Sequence, residues 1–320
     1  MIFCKEIKQK FENIKGLIGN TPLVEIKYMF KGKIGKVYAK LEWYNLTGSI
    51  KDRVAYQILF DAYKFGHINS DSIVYEITSG NMGISLSAIC NLLSNKCEII
   101  MPKNMSEERK KIITLYGAKL NLVENFDKGF KICKKLEKQG KFIAHQFENE
   151  SNFYAHYSTT GKEIYDKLKN RKLNAFVAGV GTSGTLSGAG TFLKEHKKVK
   201  VVGIEPQNAQ ILSKNPPYSK HKLQGLSDEI LPKLYNEKLI DDIIQITDDD
   251  AIAMSQKLAK ELSLGIGISS GANFLGCVLF GGNCATTFAD SNKKYLTTDL
   301  SHPITTKLVD DIKLLSIKTL

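Results

Sequence analysis

Lys51 stands at the end of Asn45-Leu46-Thr47-Gly48-Ser49-Ile50-Lys51, directly before Asp52-Arg53. Gly48 permits a tight turn, Ser49 and Asp52 have capping-box spacing, and residues 54–65 supply a helical apolar face. Lys51 is therefore expected in the first turn of a helix, where the positive helix end and Arg53 both disfavour an ammonium. A lysine amine of lowered pKa is what a Schiff base to an aldehyde needs. Taken alone, an ordinary solvated lysine at a helix start would read the same way.

Three further segments carry chemistry. Thr78-Ser79-Gly80-Asn81-Met82-Gly83 lies between a strand and a helix, so its backbone N–H groups and hydroxyls form an anion cradle suited to a carboxylate. Gly179-Val180-Gly181-Thr182-Ser183-Gly184-Thr185 follows an apolar strand and opens a helix. It matches the dinucleotide fingerprint GxGxxG, and Glu205 follows about 20 residues on, so a nicotinamide-dependent oxidoreductase is one reading. A glycine turn at a helix start binds any phosphate, and Thr182, Ser183 and Thr185 add hydroxyls that suit a terminal dianion. The fourth segment, Gly265-Ile266-Gly267-Ile268-Ser269-Ser270-Gly271-Ala272, is rich in glycine and serine and also fits close backbone packing.

Short β-branched runs alternate with helical ones around these segments. Strands are expected at 72–77, 98–101, 119–123, 142–145, 176–180 and 199–204. Helices are expected at 83–93, 106–116, 126–139, 156–168 and 186–195, with Ser106 as an N-cap and Gly117 at a C-terminus. Near-continuous apolar strands between helices argue for parallel sheets covered on both faces. Two such blocks imply two α/β domains with a ligand cleft between them.

Composition excludes several classes. At 320 residues, 42% hydrophobic and 24% charged, the chain can bury a large core without disulfides or metal, and no metal site is expected. A formal charge of +12 admits nucleic acid or an acidic membrane, but the lysines are scattered among acidic residues with no aromatic stripe, so no nucleic-acid partner is expected. The charge-free stretch 262–289 is interrupted by six glycines from Gly265 to Gly282, which argues against a membrane span. Cys4, Cys90, Cys97, Cys133, Cys277 and Cys284 form no CxxC pair, and Lys5 and Glu6 preclude a secretory apolar region there. A cytoplasmic protein with reduced thiols is expected.

Together and in this order, the segments resemble the cysteine synthase/cystathionine β-synthase family of pyridoxal-phosphate enzymes, fold type II. The resemblance runs over nearly the whole chain. It includes Ile18-Gly19-Asn20-Thr21-Pro22-Leu23, Ala39-Lys40-Leu41-Glu42, Met101-Pro102-Lys103-Asn104-Met105-Ser106, Gln146-Phe147-Glu148-Asn149, His156-Tyr157-Ser158-Thr159-Thr160-Gly161 and Lys294-Tyr295-Leu296-Thr297-Thr298-Asp299. It implies an α/β fold, tryptophan synthase β-like, of two doubly wound open-sheet domains flanking the cofactor cleft. Residues 48–153 would be the smaller domain, with a mobile substrate-carboxylate loop, and 1–47 plus 154–320 the larger. Lys51 would hold pyridoxal phosphate as an internal aldimine, then act as base and acid at the substrate α-carbon. Gly181, Thr182, Ser183, Gly184 and Thr185 would cradle the phosphate, Asn81 would partner the ring hydroxyl, and Ser269 would face the pyridine nitrogen. A serine there need not keep that nitrogen protonated, which favours β-elimination over transamination. Thr78, Ser79, Gly80, Asn81, Met82 and Gln146 would take the substrate carboxylate. The implied reaction is loss of a β-leaving group from a β-substituted L-alanine such as O-acetylserine, giving an α-aminoacrylate that a nucleophile such as sulfide attacks. A homodimer is implied as well, without the haem extension or regulatory domain of long cystathionine β-synthases.

Departures from the family pattern sharpen these expectations. Cysteine synthases read NPGGSVKDR where this chain has Asn45-Leu46-Thr47-Gly48-Ser49, closer to the TGSxK form of serine/threonine dehydratases, whereas Thr78-Ser79-Gly80-Asn81 sides with cysteine synthases. Met82 replaces a threonine, Ser183 replaces a glycine, and the segment between Ala272 and Ala285 is shortened. Asp228 and Glu229, in Gln224-Gly225-Leu226-Ser227-Asp228-Glu229-Ile230-Leu231-Pro232, stand where QGIGAGFIP is usual. A carboxylate at the pocket mouth would repel hydrosulfide and could take a proton from water or a thiol. Asp228 is thus the candidate general base of an alternative reaction, in which L-cysteine loses hydrosulfide and water or a thiol adds, giving serine or a thioether. If both carboxylates face solvent, an ordinary cysteine synthase is expected. An oxidoreductase would leave Ser49 to Lys51 and Thr78 to Gly83 unexplained, and a non-catalytic scaffold would leave Lys51, Asn81 and Ser269 without a use.

Overall fold

The computed structural model describes residues 4–216, 218–227 and 230–320. Helix α1 (Lys5–Lys15) precedes a hairpin of β1 (Leu23–Phe30) and β2 (Lys33–Leu41). Lys31 and Gly32 turn it with φ of 48° and 74°, both positive, as a two-residue hairpin loop needs. The next block holds α2 (Lys51–Lys64), β3 (Ile73–Ile77), α3 (Asn81–Leu93), β4 (Lys96–Pro102), α4 (Glu107–Leu115), β5 (Lys119–Val123), α5 (Phe126–Lys138) and β6 (Phe142–Ile143). The last holds α6 (Glu150–Ala155), α7 (Lys162–Leu168), β7 (Ala175–Gly179), α8 (Gly190–His196), β8 (Lys200–Pro206), β9 (Asp242–Ile246), α9 (Asp248–Leu262), α10 (Ile268–Phe280), β10 (Asn283–Phe288), α11 (Lys307–Asp310) and β11 (Lys313–Thr319).

The fold is α/β, with two sheets. The smaller is all parallel, in the order β5-β4-β3-β6. Val74, Ile99 and Met101 pack on one face with Val54, Ile58 and Ile89, and Tyr75, Ile77 and Ile100 on the other with Phe126 and Cys133. Burial on both faces is why these strands read as unbroken apolar runs. The larger sheet has the order β11-β1-β2-β10-β7-β8-β9. Val177, Val202 and Ile204 meet α9 and α10 on one side, while Phe176, Ala178 and Val201 meet α7 and α8 on the other.

Three details differ from the sequence reading. The larger sheet is mixed, because β1 pairs antiparallel with both β11 and β2. The expected helices at 156–168 and 186–195 each begin with a wide π-helical turn, His156–Gly161 and Thr185–Ala189. These turns meet at Gly188, where a Cβ would lie 2.9 Å from both His156 Cβ and Tyr157 N. The capping box at Ser49 and Asp52 does not form. Asp52 instead accepts from Thr47 N and Oγ1 at 2.7 and 2.5 Å and from Ser85 Oγ at 2.6 Å.

Candidate active site

Both sheets point the C-terminal ends of their parallel strands at one cleft, where open α/β sheets bind ligands. Lys51, the first residue of α2, lines it. The turn before it is pinned to the end of β10 by Ile50 N donating to Ala289 O at 2.9 Å. Arg53 does not act on Lys51 as an uncompensated charge. Its Nε and Nη2 bond Glu42 at 2.7 and 3.0 Å, and Nη1 and Nη2 bond Glu163 at 2.7 and 2.9 Å. Burial works against the guanidinium charge, but those carboxylates more than offset it.

The carboxylate-type loop runs from the end of β3 into α3. Thr78, Ser79, Asn81 and Met82 line the cleft. Gly80 is not part of the lining; at φ 148° it admits Arg109, whose Cδ would lie 2.2 Å from a Cβ there. Asn81 Nδ2 donates to Asp290 at 2.7 Å, and Lys294 Nζ donates to Asn81 Oδ1 at 3.0 Å. Gln146 lines the cleft with one amide hydrogen on Ile77 O at 3.0 Å, and its backbone N–H donates to Glu76 at 3.2 Å. Burial pushes the Glu76 carboxyl up to about 8, against the opposing hydrogen bonds from the Gln146 and Ile77 backbone.

Gly181, Thr182, Ser183 and Thr185 line the opposite part of the cleft, after β7. Their glycines answer to close neighbours. A Cβ on Gly181 would meet Gly225 O at 2.1 Å, and one on Gly184 would meet Asn152 Oδ1 at 1.9 Å. Ser183 takes φ 67°, the conformation that glycine adopts freely, and its hydroxyl pairs with Ser187 Oγ at 2.9 Å. His156, fully buried, is held well below the usual imidazole range by burial and then by the Lys51 and Arg53 charges. Its neutral ring lies 3.3 Å from Thr185 Oγ1 through Nε2. Ser269, in the first turn of α10, is also buried at the cleft.

The dinucleotide reading fails at Glu205. Its fully buried carboxylate accepts from Leu212 N at 2.8 Å and Gln245 Nε2 at 3.1 Å, and from the Ser213 hydroxyl. A ribose has no access to it. Asp228 and Glu229 lie outside the described residues. Before them, Gln224, Gly225 and Leu226 line the cleft, and after them Ile230 packs beside Phe126 and Phe147.

Arg109 and Asp290 were not singled out from the sequence. Arg109 lines the cleft from α4, donates to Tyr295 Oη at 2.7 Å and to Gln224 Oε1, and lies over the Tyr295 ring at 4.6 Å. Tyr295 Oη in turn donates to Asp290 at 2.8 Å. The available signal was a third helical residue after the Ser106 N-cap, but its partners lie 115 and 186 positions away.

A family model described as pyridoxal-phosphate dependent enzyme matches residues 14–286. The chain belongs to that family. Within it, the chain is 42% identical over 303 residues to the cysteine synthase B of Campylobacter jejuni, covering 90% of this chain and 98% of that one. It is 39% identical over 300 residues to a cysteine synthase of Staphylococcus aureus, covering 90% and 96%. A solved hydrogen sulfide-producing enzyme from Fusobacterium nucleatum superposes with a TM-score of 0.91 at 39% identity, covering 98% of this chain and 99% of that one. An aspartate-to-asparagine variant of a hydrogen sulfide-producing enzyme, solved with an α-aminoacrylate intermediate, gives 0.92 at 39% identity and the same coverage. The cleft fits the family's cofactor. It offers a lysine, a loop of hydroxyls whose Gly181 leaves no room for a Cβ, and a buried serine at a helix start. Among the described residues no group of three or more His, Cys, Asp or Glu is placed to hold a metal, and no helix is long and apolar enough to cross a membrane.

Proposed function

We propose that this chain catalyses β-replacement on a β-substituted L-alanine in cysteine metabolism, as a cysteine synthase-type enzyme. The carrying observation is that Lys51, Thr78, Ser79, Asn81 and Met82 with Gln146, Gly181, Thr182, Ser183 and Thr185, and Ser269 border one cleft. Pyridoxal phosphate, when bound, supplies the sink for the electron pair left as the α-hydrogen departs. Lys51 Nζ carries the cofactor, takes the proton from the substrate α-carbon and later returns it. The backbone N–H groups at the start of α3, with the Thr78 and Ser79 hydroxyls and the Gln146 amide, hold the amino-acid carboxylate. The Thr182 and Thr185 hydroxyls and the Ser183 backbone N–H donate to the phosphate, with Gly181 and Gly184 giving it backbone access. Neutral His156 keeps a third positive charge away from Lys51 and Arg53. Asn81, held by Asp290 and Lys294, partners the ring hydroxyl, and Ser269 gives the ring nitrogen a neutral partner. Residues 48–153 form the smaller domain and 1–47 with 154–320 the larger, a division supported by the membership of the two sheets. The working unit is a homodimer, which sedimentation in dilute buffer tests.

The deciding experiment is the visible spectrum of the purified protein with a turnover assay. A coloured, borohydride-reducible band and β-replacement of O-acetylserine by sulfide are expected. Lys51→Ala should abolish both, by at least about a thousandfold in turnover, while circular dichroism stays unchanged. A Lys51→Ala protein that still turned over a β-substituted alanine would sink the assignment.

The likeness to the hydrogen sulfide-producing enzyme, with Asp228 and Glu229 in this chain, favours a second reading of the same site. Here L-cysteine loses hydrosulfide from its β-carbon, and water adds at that carbon while Asp228 accepts the water proton. L-cysteine supplied alone should then yield sulfide and serine in equal amounts, and Asp228→Ala should lower both. No sulfide from the unmodified protein, or no fall in the variant, returns the site to the plain synthase reading.

A further inference from the structure

Asn152 is fully buried in the short helix α6, which leads from the smaller sheet into the larger. Its amide nitrogen donates twice, to the Gln146 carbonyl at 2.7 Å and to Thr182 Oγ1 at 2.9 Å. Those are the residues proposed above for the substrate carboxylate and for the phosphate, so the inference rests on that reading. The amide cannot be flipped, because its oxygen would then face the Gln146 carbonyl and two acceptors would collide. Oδ1 consequently has no hydrogen-bond partner among the described residues and lies against Gly184, where a Cβ would come within 1.9 Å. The last glycine of the loop is thus required by Asn152. A buried amide oxygen left unpaired is costly, and the two donated bonds offset that cost.

We propose that Asn152 is a positioning residue that couples the two anion sites, holding the Gln146 turn with one hydrogen and directing the Thr182 hydroxyl with the other. The chemistry of a hydroxyl gives the direction. Thr182 Oγ1 accepts from Asn152, so its own proton is left for a second partner, and the partner the cleft offers is an anion. Phosphate recognition by Thr182 is therefore set by a residue that also fixes the carboxylate side. The two sites are energetically linked through one side chain, without a moving part.

The test uses the full chain with pyridoxal phosphate, and with L-alanine as an amino acid lacking a β-leaving group. Three quantities are read: the dissociation constant of pyridoxal phosphate by absorption, the ³¹P resonance of the bound phosphate, and the dissociation constant of L-alanine from the loaded protein. Asn152→Ala should weaken both affinities by roughly fivefold, since one neutral hydrogen bond is worth about 1 kcal/mol, and should shift the ³¹P resonance. Added to Thr182→Val, the same change should cost no further pyridoxal-phosphate affinity yet still weaken L-alanine. Should Asn152→Ala fail to fold, the Thr182 pair decides. Thr182→Val is expected to lower cofactor affinity and move the ³¹P line, and Thr182→Ser to restore both. Affinities within twofold of the unmodified protein in Asn152→Ala, full multiplicativity with Thr182→Val, or a Thr182→Val protein equal to Thr182→Ser each overturn the coupling. A chain that binds no pyridoxal phosphate at all overturns the functional reading as well, so the two failures are distinct.

Discussion

The two loops that face each other across the cleft are built by different means. The Gly181–Thr185 side is held by short internal contacts: Ser183 to Ser187, Thr185 to neutral His156, and Thr182 to Asn152. The Thr78–Met82 side hangs on buried charges, with Asn81 gripped by Asp290 and Lys294 from the other half, and Gly80 overlaid by Arg109 of its own. Away from the cleft, Ile7, Phe11 and Ile14 of α1 join the smaller sheet's apolar cluster, while the cross-links near the cleft are polar. The neutral loop leans on the other half through Asn152, a contact that carries no desolvated charge. A loop tied by buried charges is only as sound as its charge balance, because desolvated ions left without partners are costly.

Removing Asp290 should break that contrast most visibly. Asp290→Ala takes the acceptor from Asn81 Nδ2 and Tyr295 Oη and leaves Arg109 with its 3.8 Å counter-charge gone. A loss of about 3 kcal/mol in urea unfolding is expected, with the spectrum of bound cofactor perturbed at the same time. A variant as stable as the parent would show that the polar cross-links are incidental. Ser269→Asp probes the cofactor between the two loops. It should keep cofactor binding but slow β-elimination about 30-fold, or ~2 kcal/mol, because a carboxylate favours a protonated ring nitrogen and a stronger electron sink. Unchanged elimination kinetics would count against the role proposed for Ser269.

Glu76 sharpens the comparison through pH. Its carboxyl, buried at the end of β3, is raised from an ordinary 4.5 to about 8. The folded state therefore binds more protons than the unfolded chain between those values, so stability is fully present below about 4.5 and declines as pH rises toward 8. The slope approaches ~1.4 kcal/mol per pH unit at its steepest. Glu76→Gln should flatten thermal stability across this window, and a profile that keeps its slope assigns the pH dependence elsewhere.

What the sequence disclosed and what it hid follow from how local each interaction is. Lys51 and the two glycine loops were legible because turn chemistry and strand–helix alternation are local, and β5 matches its expected 119–123 span. Arg53 was read as a pressure on Lys51 because Glu42 and Glu163 are its neighbours only after folding, the second 110 positions away. Ser106 does occupy the N-cap of α4, yet its hydroxyl donates to Lys294 O instead of capping the helix. The β1–β2–β11 ribbon escaped notice because its lysines break the apolar signal. Exposed Lys313 and Lys318 on β11 are what an edge strand carries against unwanted pairing. Asn152 had no local signal at all, since its use depends on Gln146 and Thr182 converging.

The smallest expected effect tests the neutral loop itself. Ser183 stands where the family pattern has glycine, and its φ of 67° costs a residue with a side chain about 1–2 kcal/mol. Ser183→Gly relieves that strain. It also deletes the buried hydroxyl pair with Ser187, worth about 1 kcal/mol, and adds glycine's unfolded-state entropy, about 0.5–1 kcal/mol. Ser187 Oγ keeps its bond to Leu234 O at 2.8 Å, so no buried donor is stranded there. The contributions nearly cancel, and unfolding free energy should stay within about 0.5 kcal/mol with pyridoxal-phosphate affinity within twofold. A larger fall in that affinity would mean that the Ser183 side chain serves the bound phosphate, and the loop would then depend on its ligand as the opposite loop depends on its charges.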